Sequence, residues 1–89
     1  MTAAALAEAL AGTEVPALME SLGFRMEFVA EKVLAPPGPV TVSHVAMLWM
    51  GMPNKHDRKR TRQLLDALAD AGLLARAEEE DTYALRPPS

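Results

Sequence analysis

Hydrophobic positions in the second half of the chain recur with a helical period. They follow the spacing i, i+3, i+4 and i+7, which is typical of a helix with one buried face. The members of this face are Thr61, Leu64, Leu65, Leu68 and Ala71. Asn54 or Asp57 can cap the start of the helix, and Gly72 can end it in a left-handed conformation. The pattern therefore predicts one long amphipathic helix between residues 54 and 72.

Two further helical segments are predicted in the first third of the chain. Residues 2–11 are rich in Ala, Leu and Glu, with Thr2 as a cap and only Leu6 and Leu10 as large apolar side chains. This short helix can dock on the domain, pair with a second subunit, or fray.

The next segment, residues 13–34, opens at Thr13 or Glu14, with Pro16 near its first turn. Its apolar stripe consists of Leu18, Leu22, Met26, Val29 and Val33. Gly23 either breaks or kinks this segment, and the pattern leaves that choice open.

The middle of the chain predicts a short strand followed by a short helix. Residues 40–42 favour a β-strand, and Ser43 is a good N-cap for an apolar helix over residues 44–50. Residues 51–54 have the composition of a turn.

The end of the chain has the pattern of a β-hairpin. Residues 73–77 and 82–86 alternate between apolar and polar positions, with Leu74, Tyr83 and Leu85 expected to point inward. The predicted fold is mainly α with a small β-hairpin, in the α+β class. We predict an N-terminal helix over residues 1–12 for docking or dimerisation, a domain over residues 13–86 and a loose tail over residues 87–89.

Length and composition restrict the class of protein. A chain of 89 residues makes one small domain, and the absence of cysteine excludes disulfides and thiolate metal sites and fits a reducing cytoplasm. The longest strongly apolar run, residues 45–52, is shorter than a membrane span, and residues 1–11 do not resemble a secretory signal. We therefore expect a cytoplasmic protein without a membrane partner.

Charge is distributed unevenly, although the net charge is only −3. Five of the nine Lys and Arg residues lie within residues 55–62, whereas residues 78–81 are all acidic. The five cations are Lys55, Arg58, Lys59, Arg60 and Arg62. Their position at the start of a helix opposes the helix macrodipole, which favours anions there. An anionic partner that reaches these turns would relieve that repulsion.

Other chemistry is weakly indicated. His44 and His56 are the only histidines, and their separation with no cysteine argues against a metal site. The acidic residues 78–81 lack the spaced ligands of a calcium loop and are interpreted as a solvated turn. Met26, Met47, Met50 and Met52 are interpreted as core filler, and Trp49 as a core residue whose indole N–H finds one acceptor. No cofactor motif or catalytic arrangement is present, so we expect no enzymatic activity.

The order of these elements resembles a winged helix-turn-helix domain, as in small bacterial transcriptional regulators. The resemblance covers residues 24–86 and is carried by VTVS at residues 40–43, RQLLDALADAGLL at residues 62–74 and YAL at residues 83–85. It implies three core helices, with the helix of residues 1–12 as an addition.

The resemblance also implies sequence-specific binding of double-stranded DNA and transcription regulation, with the basic helix in the major groove. The residues expected to contact bases are Lys55, His56, Lys59, Arg62 and Gln63. Arg62 suits guanine and Gln63 suits adenine. Phosphate contacts are expected from Arg58, Arg60 and Ser43. A homodimer through the N-terminal helices would place two half-sites about 34 Å apart.

Two features depart from that family pattern. The connection over residues 51–56 is expected to be longer than the usual three or four residues. The tip of the hairpin, often basic in such domains, carries four acids here. The wing then points away from DNA, docks on a basic partner, or belongs to a domain that does not bind DNA. The alternative function is a protein–protein interaction module that uses the basic helix face or the acidic wing.

Overall fold

The computed structural model describes residues 2–35 and 38–86, which form helices around a three-stranded antiparallel sheet. The elements are α1 (Ala3–Ala9), α2 (Val15–Leu22), α3 (Met26–Phe28), which continues into a π-helical segment (Val29–Val33), β1 (Val40–Thr41), α4 (Val42–Met50), α5 (Lys55–Asp70), β2 (Leu74–Arg76) and β3 (Thr82–Leu85). The predicted α+β class is confirmed. The predicted tail at residues 87–89 lies outside the described residues.

Helix α1 docks on its own domain. The Thr2 hydroxyl caps it by accepting a hydrogen bond from the Ala5 amide at 3.0 Å, as predicted. Leu6 and Leu10 are fully buried and belong to the same hydrophobic core as the rest of the chain. The homodimer remains a prediction, and these two leucines are already used within one chain.

Gly23 breaks the segment of residues 13–34 into two helices. It adopts a left-handed conformation with φ of 86°, and the Phe24 amide donates back to the Met19 carbonyl at 2.9 Å. The chain becomes helical again at Met26. The described residues therefore contain one helix more than the three core helices and the N-terminal helix predicted, because the break that the sequence left open at Gly23 is present.

The sheet has the strand order β1–β3–β2. Val40 pairs with Tyr83, and Leu74 pairs with Leu85. Leu74 and Tyr83 are buried, as predicted, and Leu85 is half-buried. The hairpin strands are shorter than predicted. Because β1 pairs with β3, β3 is the central strand of the sheet.

Helix α4 starts earlier than the sequence suggests. Thr41, the last residue of β1, has an extended backbone, and its hydroxyl accepts a hydrogen bond from the His44 amide at 3.1 Å. Thr41 is thus the N-cap, and the prediction of Ser43 in that role is wrong. Ser43 lies exposed in the first turn.

The outer face of α4 carries exposed apolar side chains. Met47, Leu48 and Met50 are 43–59% exposed, and Met52 in the following turn is 93% exposed. The interpretation of Met47, Met50 and Met52 as core filler is therefore wrong. This short helix buries Val42, Val45 and Ala46 on one side, whereas Met47, Leu48 and Met50 stay exposed among the described residues.

Helix α5 occupies the centre of the core. Thr61, Leu64, Leu65 and Leu68 are fully buried, which confirms the predicted face. Ala71 is exposed, contrary to that prediction, because the helix ends at Asp70 and the chain turns away. In the part of the chain that the structure describes, no helix has the length and apolar character needed to cross a lipid bilayer.

Candidate nucleic-acid interface

A capping box fixes the first turn of α5. The Asn54 side chain accepts a hydrogen bond from the Asp57 amide at 2.9 Å, and the Asp57 carboxylate accepts one from the Asn54 amide at 3.0 Å. Asp57 is buried and supplies a negative charge where the helix dipole favours one. These contacts offset part of the repulsion among the surrounding cations.

Four residues connect α4 to α5, at positions 51–54. The predicted longer connection over residues 51–56 is therefore wrong, because Lys55 and His56 already belong to the first turn of α5. This spacing is that of a helix-turn-helix connection.

A chain of hydrogen bonds sets the position of α5 against α4. The Trp49 indole N–H donates to the Thr61 hydroxyl at 2.9 Å, and that hydroxyl donates to the Asp57 carbonyl at 2.8 Å. Trp49 therefore has the single acceptor expected for its indole. The Phe24 ring packs edge-on against Trp49 with centroids 4.9 Å apart. The first two turns of α5, which carry the cations, are thus fixed in position by contacts of their inner face with Trp49.

Arg60 faces inward and belongs to the fold. Its guanidinium lies 5.0 Å from the centre of the Trp49 ring and donates a hydrogen bond to the Leu22 carbonyl at the end of α2. The sequence predicts a phosphate contact for Arg60, whereas in the structure this side chain contacts the Leu22 carbonyl and the Trp49 ring. We therefore assign it no contact with a ligand.

The outward face of α5 brings together all five residues predicted to contact bases. Together with Asp66, they line a shallow depression of about 550 Å³: Lys55, His56, Lys59, Arg62 and Gln63. All five are exposed. Within residues 2–35 and 38–86, Lys55 and Lys59 have no carboxylate within ion-pair distance. The two lysines are therefore available to an external anion.

The remaining predicted phosphate contacts, Arg58 and Ser43, are exposed and do not line this depression. Arg58 is exposed on the flank of α5 and donates to the Pro53 carbonyl at 3.3 Å. Ser43 lies on the first turn of α4, outside the depression.

The C-terminal half of the same helix is neutralised by the sheet. Asp66 accepts a hydrogen bond from the Tyr83 hydroxyl at 2.5 Å and lies 3.4 Å from the Arg76 guanidinium. Arg76 also reaches Asp70 at 3.2 Å. Burial, with the Asp66 hydrogen bond, raises the pKa of Tyr83 to about 12. Along α5, free positive charge is consequently concentrated on the first two turns.

Arg62 is held by a carboxylate from the hairpin turn. Its Nε and Nη2 atoms each donate to one Asp81 oxygen, both at 2.9 Å. This bond lowers the pKa of Asp81 below its ordinary value and raises the pKa of Arg62. The sequence pattern predicts a solvated turn for the four acids and does not predict this contact. One signal for it is the opposite charge of residues 55–62 and residues 78–81, because a hairpin after the helix brings its turn back toward that helix.

Within the described residues, no group of three or more His, Asp or Glu side chains is arranged to hold a metal ion. Comparisons with protein-family models, with curated proteins and with solved structures found no match to this chain. A function therefore has to be inferred from the geometry and charge of the site.

Proposed function

We propose that this chain is a winged helix-turn-helix domain that binds double-stranded DNA through α5 and acts in transcription regulation. The order of elements supports this proposal. A short strand leads into α4, a four-residue turn connects it to α5, and a hairpin follows whose second strand pairs with the first strand of the fold. That arrangement is the one expected from the resemblance in the sequence.

The observation that carries the proposal is the exposed basic face of α5. Lys55, Lys59 and Arg62 share one depression with His56 and Gln63, and the core holds the opposite face of the helix. A rigid helix that presents cations and amide donors outward suits the phosphate backbone and base edges of a major groove.

Roles within this face follow from donor chemistry. Arg62 can donate two parallel hydrogen bonds to guanine, and Gln63 can pair with adenine. Lys55, His56 and Lys59 add contacts on the same face. Arg58 suits a phosphate on the flank, and the exposed Ser43 hydroxyl at the start of α4 suits another.

The proposal is tested by titrating the protein with mixed-sequence duplex DNA at several salt concentrations. Neutralising about four phosphates predicts a slope of log K against log salt of about −3.6. Lys59→Glu should weaken binding strongly and flatten the slope. Lys32→Glu is the matched control, because Lys32 is exposed outside α5 and the change in net charge is equal. Absence of binding at low salt, or equal effects of both variants, would contradict the proposal.

A second candidate function is binding of an acidic protein segment to the same face. The observation that favours it is the bidentate bond between Arg62 and Asp81, since this face already holds a protein carboxylate. An interaction that survives nuclease treatment, is lost in the double variant Lys59→Glu/Arg62→Glu and persists in Lys32→Glu would support this function. Salt-dependent binding of bare duplex would favour DNA.

A further inference from the structure

The Arg62–Asp81 pair joins the hairpin turn to the last cation of the basic face of α5. The two residues lie 19 positions apart in the sequence and meet through two parallel hydrogen bonds. Parallel pairing of this kind fixes the plane of the guanidinium as well as its position. Arg62 is nevertheless exposed, with 45% of its side-chain surface open to solvent.

The fold itself sets the position of Asp81. Its backbone is left-handed, with φ of 58°, and its carbonyl accepts a hydrogen bond from the Val42 amide at 3.0 Å. The next residue, Thr82, pairs with Thr41 in the sheet. The carboxylate is therefore held between the start of α4 and the outward face of α5.

The contact uses only one edge of the guanidinium. Asp81 occupies Nε and Nη2, so the edge formed by Nη1 and the second Nη2 proton remains available for two further hydrogen bonds. The O6 and N7 acceptors of guanine match two such donors. A phosphate at the same edge would also approach the Asp81 carboxylate, and like charges at short range repel.

From this geometry we infer that Asp81 is a positioning residue for specificity, which directs Arg62 toward a guanine edge and away from phosphate. The inference rests on the proposed DNA-binding function. By holding the guanidinium in advance, Asp81 reduces the conformational entropy that Arg62 loses on contact with the base. By its charge, it disfavours non-specific binding at the same position.

The test is selection of binding sites from a random duplex library, followed by titration of the selected and random duplexes across a salt series. We expect the wild type to enrich guanine at one position, with discrimination of about 5- to 150-fold. Asp81→Asn should lower that discrimination by about 2- to 10-fold. The same variant should bind random duplex more tightly, with a slope steeper by about 0.9, because one cation is freed for phosphate.

Glu79→Gln is the matched control, because it removes one negative charge from the same turn and Glu79 has no described side-chain contact with Arg62. It should leave the guanine discrimination unchanged. Asparagine tolerates a left-handed backbone, so the turn should persist in Asp81→Asn, and melting curves check this. Arg62→Lys gives a second measurement: it keeps the charge and the slope and loses the discrimination.

The possible outcomes separate the inference from the function on which it rests. Equal discrimination in Asp81→Asn and wild type, or equal behaviour of Asp81→Asn and Glu79→Gln, overturns the inference alone. Salt-dependent binding without guanine enrichment also overturns the inference and leaves DNA binding in place. No binding by any variant at low salt overturns both.

Discussion

The cations of residues 55–62 divide into two kinds according to what each side chain contacts. Lys55, Lys59 and Arg62 point outward, whereas Arg60 lies over Trp49 and bonds to the last turn of α2. A cation at the C-terminal end of a helix is stabilising, because the carbonyl groups there carry partial negative charge. Arg60 therefore joins α2, α4 and α5.

We expect Arg60→Ala to lower the free energy of unfolding by about 1–2 kcal/mol, since it removes a cation–π contact and a charged hydrogen bond. Arg58→Ala removes an equal charge from an exposed flank and should change stability by less than about 0.5 kcal/mol. Urea unfolding followed by circular dichroism measures both. Equal stabilities of the two variants would contradict the structural role of Arg60.

The sequence predicts only in part which of these cations point inward and which point outward. Helical periodicity places Lys59 and Arg62 opposite the leucine face, and the structure agrees. The same periodicity leaves Arg60 on a flank, where its partner is decided by the end of α2 at Gly23. That partner lies 38 residues away, and no local pattern reports it.

Helix α5 combines a structural face with a candidate binding face, so its first turn matters to both. The capping box between Asn54 and Asp57 satisfies amide donors that the exposed cations cannot.

Asn54→Ala should destabilise the protein by about 1 kcal/mol, the typical cost of losing an N-cap. Under the proposed function it should also weaken DNA binding, because Lys55 and Lys59 then lie on a frayed turn. Thr2→Ala removes the corresponding cap of α1, and Thr2 does not line the basic depression. We expect a loss of stability there without a change in DNA affinity, measured by the same titration. Unchanged DNA binding in Asn54→Ala would contradict a role for the ordered first turn.

Two features disfavour a side chain at Gly23, namely its left-handed backbone and the nearby Arg60 guanidinium. An added Cβ would lie 3.1 Å from the Arg60 guanidinium, and its φ is +86°. Gly72 has nearly the same φ, +87°, and no atom within 4 Å of such a Cβ. Gly72→Ala should therefore cost only the left-handed strain of about 1–2 kcal/mol.

Gly23→Ala should cost more than Gly72→Ala, because it also displaces Arg60. This extra loss of unfolding free energy should disappear when Gly23→Ala and Gly72→Ala are each combined with Arg60→Ala and then compared. Urea unfolding of the four proteins gives this comparison, and an extra cost that persists without Arg60 would contradict the contact.

At the level of elements, the long helix, its caps and the hairpin followed from periodicity and turn chemistry. The wrong predictions concern residues whose cap role or burial depends on tertiary contacts. Thr41 caps α4 because the sheet holds it extended, and Met47 and Met50 are exposed because α4 has one covered side. A short apolar segment does not report how many of its sides are covered.

The sheet and α5 are coupled across the whole molecule through Tyr83. Its side chain is buried, and its hydroxyl donates to Asp66 on α5. Its pKa of about 12 lies above the ordinary value of 10.0. The contribution of Tyr83 to stability is therefore complete below pH 10 and is lost as the pH rises toward 12.

We expect the unfolding free energy of wild type to fall between pH 10 and pH 12 more steeply than that of Tyr83→Phe, which has no phenol to ionise. The stability difference between the two proteins should be constant below pH 10 and narrow above it. Urea unfolding at several pH values measures this difference. Parallel pH profiles would contradict the proposed coupling.

The hydrogen bond from the Val42 amide to the Asp81 carbonyl limits how far this surface can adapt to a binding partner. It joins the start of α4 to the hairpin turn, while Arg62 joins that turn to α5, so we expect these three parts to move as one. For the proposed DNA binding, a surface that adapts little leaves more of the adjustment to the duplex. Sequences with easily deformed base steps beside the proposed guanine contact are then expected to bind more tightly, although the protein does not touch those steps.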